Sequence, residues 1–223
     1  SPLPAAAVRA AYPFWKSIGA PKGVLRWIKR GVFVPFPGNS RPPLRPPPRP
    51  YLPSLPTEQA AFHLEINRLK SMGALVPCAN PRWFHPTFMR RKPGLPVRYR
   101  LIVNGARFND YVSPPPSFAA EDLRLLRWIA HRHGWATSAD LTDAYFGIYI
   151  ADAHRNYFCI RILNEHGEPE TLCYTVLPFG WSWSPLLFTL TLRVLLQYWR
   201  RNSLTVTAFY DDILALGTDA DIL

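Results

Sequence analysis

The sequence predicts an α+β fold in which a mainly antiparallel sheet is backed by helices. Short runs of β-branched and aromatic residues are separated by turn residues, longer stretches have helical periodicity, and an acidic turn joins two apolar runs near residue 211. Hydrophobic residues make up 48% of the 223-residue chain, which is enough for a core. No apolar run approaches the length of a membrane-spanning helix.

Two helices are predicted in the first two thirds of the chain. The first starts at Thr57, carries Glu58 in its first turn and a mostly apolar face, and ends at Gly73. The second covers about residues 120–133 and ends at Gly134.

Two further helical stretches lie near the chain ends. Residues 24–28 form an amphipathic stretch with Gly31 as a stop. A long helix is predicted from Ser184 to about residue 200, with Ser184 as its N-cap and Pro185 in its first turn.

Strands are predicted from runs that favour extended backbone. A hairpin is expected where residues 157–162 and 172–176 flank the turn residues 164–167. Three more strands are expected at residues 74–77, 88–92 and 97–103, and another begins near residue 135.

The chain is strongly basic, with 26 Lys and Arg against 15 Asp and Glu, a net charge of +11 and a pI near 10. This excess fits a polyanionic partner, because neutralised phosphates give affinity through counterion release. Charge alone does not separate nucleic acid from an anionic membrane. The three cysteines, Cys78, Cys159 and Cys173, lack metal-ligand spacing and are predicted to be reduced, partly buried thiols.

The acidic turn holds Asp211 and Asp212 between the apolar runs 204–208 and 213–216. This pattern predicts a hairpin whose tip presents adjacent carboxylates, which repel each other unless a cation lies between them. Mg²⁺ prefers such hard oxygen ligands. A solvated turn is the alternative. A third acid, Asp140, ends the strand near residue 135 and lies 71 residues before Asp211, so the two meet only if their strands pair.

Blocks in this order resemble the fingers and palm of reverse transcriptases. They are the Asp-x-x-x-Ala-Tyr block at residues 140–145, Leu-Pro-Phe-Gly at 177–180, Phe-Tyr-Asp-Asp at 209–212, and a fingers-type strand at 99–104 that continues to residue 109. Residues 14–21, 27–31 and 198–200 resemble the DIRS-type tyrosine-recombinase retrotransposons within that family.

The resemblance implies an RNA-directed DNA polymerase that uses two Mg²⁺ ions, with Mn²⁺ as an alternative. Asp140 and Asp211 would bridge the ions, and Asp212 would be the supporting acid, with turn stabilisation as its alternative role. The implied partners are an RNA template, a DNA primer or RNA–DNA duplex, and dNTPs, and no membrane partner is implied. Tyr145 matches the aromatic gate against ribose, which disfavours an RNA polymerase, and core packing is its alternative role.

The resemblance also implies a nucleotide site. Arg100 would close over the triphosphate, with a second contact from Lys92 or Arg91. Asp143 and Ala144 begin a turn whose free N–H groups suit phosphates. Asp143 as an ordinary N-cap is the alternative. Phe179 and Gly180 would form the loop under the nucleotide, with a simple tight turn as the alternative.

The chain departs from the family at residues 104–106, where Asn-Gly-Ala replaces Asp-aromatic-Arg and Arg107 is displaced by one position. This departure keeps a second hypothesis open, a domesticated nucleic-acid-binding scaffold with little turnover. The Pro-rich segment (residues 35–56) favours polyproline II and reads either as an SH3-type ligand or as a stiff basic strap along the fingers or template.

The expected division is an N-terminal basic and Pro-rich extension at 1–56, fingers with part of the palm at 57–134, and palm at 135–223. The chain is expected to be an excerpt of a polyprotein, with the thumb, and any RNase H or recombinase domain, downstream of residue 223.

Overall fold

The computed structural model describes residues 2–38, 40–94, 97–119, 121 and 134–217. The helices are α1 (Pro4–Ala10), α2 (Tyr12–Ser17), α3 (Lys22–Arg30), α4 (Pro56–Ser71), α5 (Ala106–Asn109) and α6 (Ser184–Arg201). The strands are β1 (Leu75–Pro77), β2 (Thr87–Lys92), β3 (Arg98–Val103), β4 (Trp135–Asp140), β5 (Cys159–Leu163), β6 (Pro169–Tyr174), β7 (Thr205–Phe209) and β8 (Asp212–Gly217). Single 3₁₀ turns cover Ala144–Gly147 and Asp152–Tyr157. The helix predicted at 120–133 lies outside the described residues except for position 121.

The strands form three antiparallel sheets, in the orders β1-β6-β5, β2-β3 and β4-β8-β7. The predicted α+β class and antiparallel pairing are therefore confirmed. The strands belong to three separate sheets rather than to the one sheet expected from the sequence, and long connections separate β3 from β4 and β6 from β7. The predicted hairpin at residues 157–176 is confirmed as β5 and β6.

The largest core lies between α4 and the β1-β6-β5 sheet. Ile160, Ile162 and Leu172 are fully buried on the sheet, and Phe62 and Ile66 of α4 belong to the same cluster. Helix α4 begins at Pro56, one residue before the predicted start, because proline suits the first helical position. The predicted stop is confirmed, since Gly73 adopts a φ of +81° just after the helix.

Helix α6 contributes to two smaller clusters, one on each side of it. Its one face contacts β7 through Phe188, Leu192 and Leu196, whereas Val194 packs with the N-terminal helices. The N-cap prediction for Ser184 is wrong: Ser184 is the first helical residue, and its buried hydroxyl donates to the Pro178 carbonyl at 2.8 Å. The hydroxyl closes the loop before the helix, so Trp183 occupies the cap position.

The N-terminal helices pack against the rest of the chain. The Trp27 indole N–H donates to the Thr191 hydroxyl of α6 at 3.0 Å. Gly31 ends α3 as predicted, with a φ of +80°, and a Cβ there would lie 2.6 Å from the Ala151 nitrogen. The division at residue 56 stays a prediction. Among the described helices, none has both the length and the apolarity needed to cross a bilayer.

Candidate active site

The acidic turn forms the tip of the β7-β8 hairpin. Phe209 pairs with Asp212, which leaves Tyr210 and Asp211 as the two tip residues. Tyr210 has a φ of +54°, as tight two-residue turns require. The predicted hairpin is confirmed, but its tip holds Tyr210 and Asp211, and Asp212 is the first residue of β8.

Strand β4 brings the third acid to this tip. Asp140 lies directly opposite Asp212 in the antiparallel register, and the Leu141 N–H donates to the Asp211 carbonyl at 3.0 Å. Side chains directly opposite in such a pair leave the same face of the sheet, with Cβ atoms about 5 Å apart. The strand pairing expected from the sequence is confirmed, and the three acids lie at one end of the β4-β8-β7 sheet.

The three aspartates offer the oxygen donors that Mg²⁺ prefers, and all three residues are exposed. In the described ranges, however, no group of three or more His, Cys, Asp or Glu side chains is arranged to hold a metal ion. The residue types and their placement at one sheet end fit a divalent cation. The side chains must still converge on it, and substrate phosphates supply further oxygens in sites of this kind.

Glu121 supports the hairpin from behind. Its carboxylate accepts hydrogen bonds from Arg200 at 2.6 Å, from the Thr207 hydroxyl at 2.8 Å and from the Ala208 N–H at 3.2 Å. Burial disfavours its ionised form, but these donors outweigh burial and lower the pKa of Glu121. The Arg200 guanidinium also donates to the Val206 carbonyl, which ties α6 to β7.

Asp143 precedes the 3₁₀ turn Ala144–Gly147 and is held by a helix far upstream. Its carboxylate accepts from two nitrogens of the Arg68 guanidinium, at 2.6 and 3.2 Å, and Arg68 also pairs with Glu65. Asp143 makes no side-chain cap hydrogen bond and has a φ of +53°. Asp143 therefore occupies the N-cap position of this turn, and its carbonyl accepts from the Phe146 N–H at 2.8 Å, but its carboxylate binds Arg68 and does not cap the turn.

Tyr145 lies between the acidic tip and the loop after β6. The centre of its ring lies 4.7 Å from the centre of the Phe179 ring and 5.7 Å from that of the Phe188 ring. Burial, with the nearby Asp211 carboxylate and Tyr210, raises the pKa of the Tyr145 phenol to about 12. Tyr145 thus remains a neutral, half-buried ring beside Asp211, and it has both packing partners and an open side.

The backbone segments that contain Gly180 and Gly105 cross each other in direct contact. A Cβ on Gly180 would overlap the Val103 carbonyl oxygen, and a Cβ on Gly105 would overlap the Gly180 carbonyl oxygen. The Asn109 amide fixes the crossing, since it donates to the Gly180 carbonyl at 3.1 Å and accepts from the Ser182 N–H at 3.0 Å. The glycine in the divergent 104–106 segment therefore makes room for the loop that carries Phe179.

Arg100 and Lys92 lie in the separate β2-β3 sheet, apart from the sheet that carries the three aspartates. The register pairs Arg100 with Arg90, and Lys92 with Arg98. The side chains of Lys92 and Arg98 lie outside the described part of the structure. Arg100 is exposed at the middle of its strand, so it is free to contact a ligand.

Sequence reasoning missed Arg68, Glu121 and Asn109. Nothing in the sequence marks Arg68 as a partner of Asp143, because the two lie 75 residues apart on a helix and a turn. Gly105 did stand out as a departure from the family pattern, but its contact with Gly180 was not predicted.

The three cysteines are free thiols, as predicted, and they lie close together. The Cys78 and Cys159 sulfurs are 3.5 Å apart, and Cys159 lies opposite Cys173 in the antiparallel register of β5 and β6. Burial raises the pKa of Cys159 and Cys173, so both remain protonated thiols.

Comparison with known proteins identifies the family to which this chain belongs. Residues 91–222, more than half of the chain, match the family model described as reverse transcriptase (RNA-dependent DNA polymerase). The chain belongs to this family, which confirms the prediction from the ordered sequence blocks. The DIRS-type branch stays a prediction.

Two viral polyproteins are similar to the chain in sequence. The Gag-Pol polyprotein of walleye dermal sarcoma virus is 29% identical over 157 residues, and that of woolly monkey sarcoma virus is 31% identical over 152. These alignments cover 70% and 67% of this chain but only 9% of each polyprotein.

A solved structure supports the fold. The crystal structure of prototype foamy virus protease-reverse transcriptase superposes with a TM-score of 0.62 at 22% identity. The match covers 86% of this chain and 24% of the foamy virus chain. The predicted fingers-and-palm type of α+β fold is therefore confirmed.

Proposed function

We propose that this chain forms the fingers and palm of an RNA-directed DNA polymerase, which transfers a nucleotide from a dNTP to a primer 3′-hydroxyl. The observation that carries the proposal is the placement of Asp140, Asp211 and Asp212 at one end of the β4-β8-β7 sheet, inside the region that matches the family.

Asp140 and Asp211 would hold two Mg²⁺ ions, or Mn²⁺, and Asp212 would support them. Reverse transcriptases use divalent metal ions, and two such ions about 4 Å apart lower the pKa of the primer hydroxyl and stabilise charge on the leaving pyrophosphate. The protein's part is to fix the carboxylates on rigid strand ends. Glu121 and Arg200 hold β7 in place behind them.

The nucleotide would lie over Tyr145 and Phe179, whose rings pack together beside Asp211. The open side of Tyr145 would exclude a ribose 2′-hydroxyl, and Gly180 would let the backbone approach the base. Arg100 and Lys92 would contact the triphosphate, as would the backbone around Ala144. Asp143 is better assigned to positioning this backbone, because Arg68 already neutralises its carboxylate.

The RNA template and the DNA primer would be bound by the basic surface, which the net charge of +11 supplies. The divergent 104–106 segment favours a second candidate, a nucleic-acid-binding scaffold that has lost turnover. The crossing of Gly105 and Gly180 argues against that reading, because it keeps the loop beside Tyr145 anchored.

RNA-templated primer extension tests the proposal. Asp140→Asn and Asp211→Asn should each reduce single-nucleotide extension by about a hundredfold or more, because charge stabilisation in the transition state is lost. Asp152→Asn is the control, since its exposed carboxylate pairs with Arg155 and does not belong to the acidic hairpin or to β4. Duplex binding should be unchanged in all three variants. Extension that survives both active-site substitutions would favour the scaffold.

A further inference from the structure

The N-terminal helices α1–α3 lie outside the region that matches the family, yet they contact the segment that carries Tyr145. The family match begins at residue 91. The 3₁₀ turn with Tyr145 ends at Gly147, and a Cβ on Gly147 would lie 3.8 Å from a methyl carbon of Val8. Helix α1 therefore packs directly against the turn that presents the Tyr145 ring.

Arg9 joins α1 to the residues that follow this turn. Its guanidinium carbon lies 4.1 Å from the centre of the Tyr149 ring, a distance at which the face of the ring attracts the cation. The Arg9 Nε also donates to the Ile28 carbonyl at 3.3 Å, close to the C-terminal end of α3, where the helix dipole favours a cation. One half-buried side chain thus connects α1, the end of α3 and Tyr149.

Residues 148–151 lie between the N-terminal helices and the chain that leads to Phe179. On one edge, Val32 donates its N–H to the Tyr149 carbonyl at 2.8 Å and accepts from the Ala151 N–H at 2.9 Å. On the other edge, backbone hydrogen bonds of 2.9 and 3.1 Å join residues 148–150 to residues 175–177. Because Tyr145 precedes this segment and Phe179 follows its partner, the segment holds both aromatic rings of the candidate nucleotide site.

Helix α6 connects the N-terminal helices with Tyr145 a second time. The Trp27 indole of α3 donates to Thr191 of α6. Phe188 lies about one turn earlier on α6, and its ring packs edge-on against Tyr145. The same N-terminal helices therefore support Tyr145 through residues 148–151 and through the helix that contacts its ring.

We propose that Arg9 is a positioning residue of the nucleotide site. By holding Tyr149, it fixes the segment that places Tyr145 and Phe179, and it thereby contributes to the choice of deoxyribose over ribose. Arg9 acts through this segment and does not touch the nucleotide. The inference rests on the proposed polymerase function and on the role of Tyr145 within it, and it extends the site to helices outside the family match.

The test is a selectivity ratio, kcat/KM for a deoxynucleotide divided by kcat/KM for the matching ribonucleotide. It is measured by single-nucleotide extension with the whole chain. Arg9→Gln removes the cation that lies over Tyr149, and Arg26→Gln removes the same charge from an exposed position of α3. A loss of stability lowers the fraction of active enzyme, but that fraction cancels in the ratio. A merely structural role of Arg9 would therefore leave the ratio unchanged.

Arg9→Gln should lower the selectivity ratio by about threefold, the effect of losing a partly exposed cation–π contact. Arg26→Gln should leave the ratio at the wild-type value. Arg9→Lys keeps a cation that can lie over the ring and should restore most of the selectivity. Tyr149→Leu should lower the ratio as Arg9→Gln does, and the double variant should lower it no further, because both substitutions remove the same contact.

Amide hydrogen exchange tests the contact without turnover. Peptides from residues 144–151 should exchange faster in Arg9→Gln than in the wild-type chain or in Arg26→Gln, whereas peptides from β5 and β6 should exchange at the wild-type rate. Unchanged exchange at residues 144–151 would overturn the proposal. Faster exchange in β5 and β6 as well would also overturn it, because it would show general destabilisation.

The two levels of the account fail in different ways. A wild-type chain that extends no primer would contradict the proposed polymerase function, and the role of Arg9 would fall with it. An active wild-type chain whose selectivity ratio is the same in Arg9→Gln would overturn the role of Arg9 alone. Equal losses of selectivity in Arg9→Gln and Arg26→Gln would overturn it too, because the loss would then depend on charge and not on the contact with Tyr149.

Discussion

Alanine substitutions at Gly73, Gly105 and Gly180 should separate two contributions to the loss of stability, backbone strain and steric overlap. Gly73 has a φ of +81° and open space around its missing Cβ, so Gly73→Ala measures conformational strain alone. Gly105 has a φ of −89° but lies against the Gly180 carbonyl, so Gly105→Ala measures overlap alone. Gly180 combines a φ of +96° with overlap on the Val103 carbonyl.

The magnitudes follow from these environments. A left-handed conformation destabilises a non-glycine residue by about 1–2 kcal/mol. Alanine also lowers the conformational entropy of the unfolded chain, which offsets about 0.4–1 kcal/mol of this loss. Gly73→Ala should therefore cost about 1 kcal/mol. Overpacking costs about 1–3 kcal/mol, and here the obstructing atom is backbone, so Gly105→Ala should cost about 3 kcal/mol. Gly180→Ala should cost about 4 kcal/mol, the sum of the two effects.

Urea unfolding followed by circular dichroism gives these free energies of unfolding. The ranking should be Gly73→Ala, then Gly105→Ala, then Gly180→Ala as the most destabilised. Because the 178–182 loop must shift, Gly105→Ala should also reduce primer extension through movement of Phe179 against Tyr145. The reasoning is refuted if Gly105→Ala is no more destabilising than Gly73→Ala.

Three further predictions concern Arg68, His85 and Tyr145. A double-mutant cycle with Arg68→Gln and Asp143→Asn should give a coupling of about 1 kcal/mol that weakens with salt, because solvent screens a pair whose arginine is 43% exposed; additive effects would contradict the pairing. Burial lowers the pKa of His85 from 6.5 to about 4, so the unfolded chain takes up a proton at higher pH than the native one. Stability should therefore fall by roughly 3 kcal/mol as pH drops through this window, and unfolding of His85→Gln should show a flatter pH profile; parallel profiles would exclude His85 as the cause. Tyr145→Val should raise ribonucleotide relative to deoxynucleotide incorporation by about tenfold or more, measured by single-nucleotide extension, whereas unchanged selectivity in a folded variant would return Tyr145 to core packing.

Local sequence patterns predicted most of the secondary structure. The alternation in β5 and β6 and the turn residues at 164–167 predict the hairpin, and the Asn164 side-chain Oδ1 indeed accepts from the His166 and Glu168 N–H groups. Gly31 and Gly73 mark helix ends because a positive φ is a local requirement. These features depend on neighbours in sequence, so the sequence alone predicts them.

Local sequence patterns could not predict the long-range contacts. The division into three sheets depends on which hairpins pair, and the pairing of β1 with β6 joins residues about a hundred positions apart. The Ser184 hydroxyl had two acceptable uses, an N-cap or a bond to the Pro178 carbonyl, and only the path of the loop decides between them. At the candidate site, the order of the blocks predicted the acids, but Arg68, Glu121 and the Gly105 contact come from tertiary packing.

The most direct test of the central claim locates the bound ions by where they cut the chain. Fe²⁺ is substituted for Mg²⁺ at the oxygen ligands, and peroxide with ascorbate then generates hydroxyl radicals that cleave nearby backbone. Cuts should appear close to Asp140 and close to Asp211, Mg²⁺ should suppress them, and Asp211→Asn should abolish both while Asp152→Asn leaves them intact. Cuts elsewhere, or cuts that persist in Asp211→Asn, would contradict the assignment of this hairpin as the metal site of a polymerase.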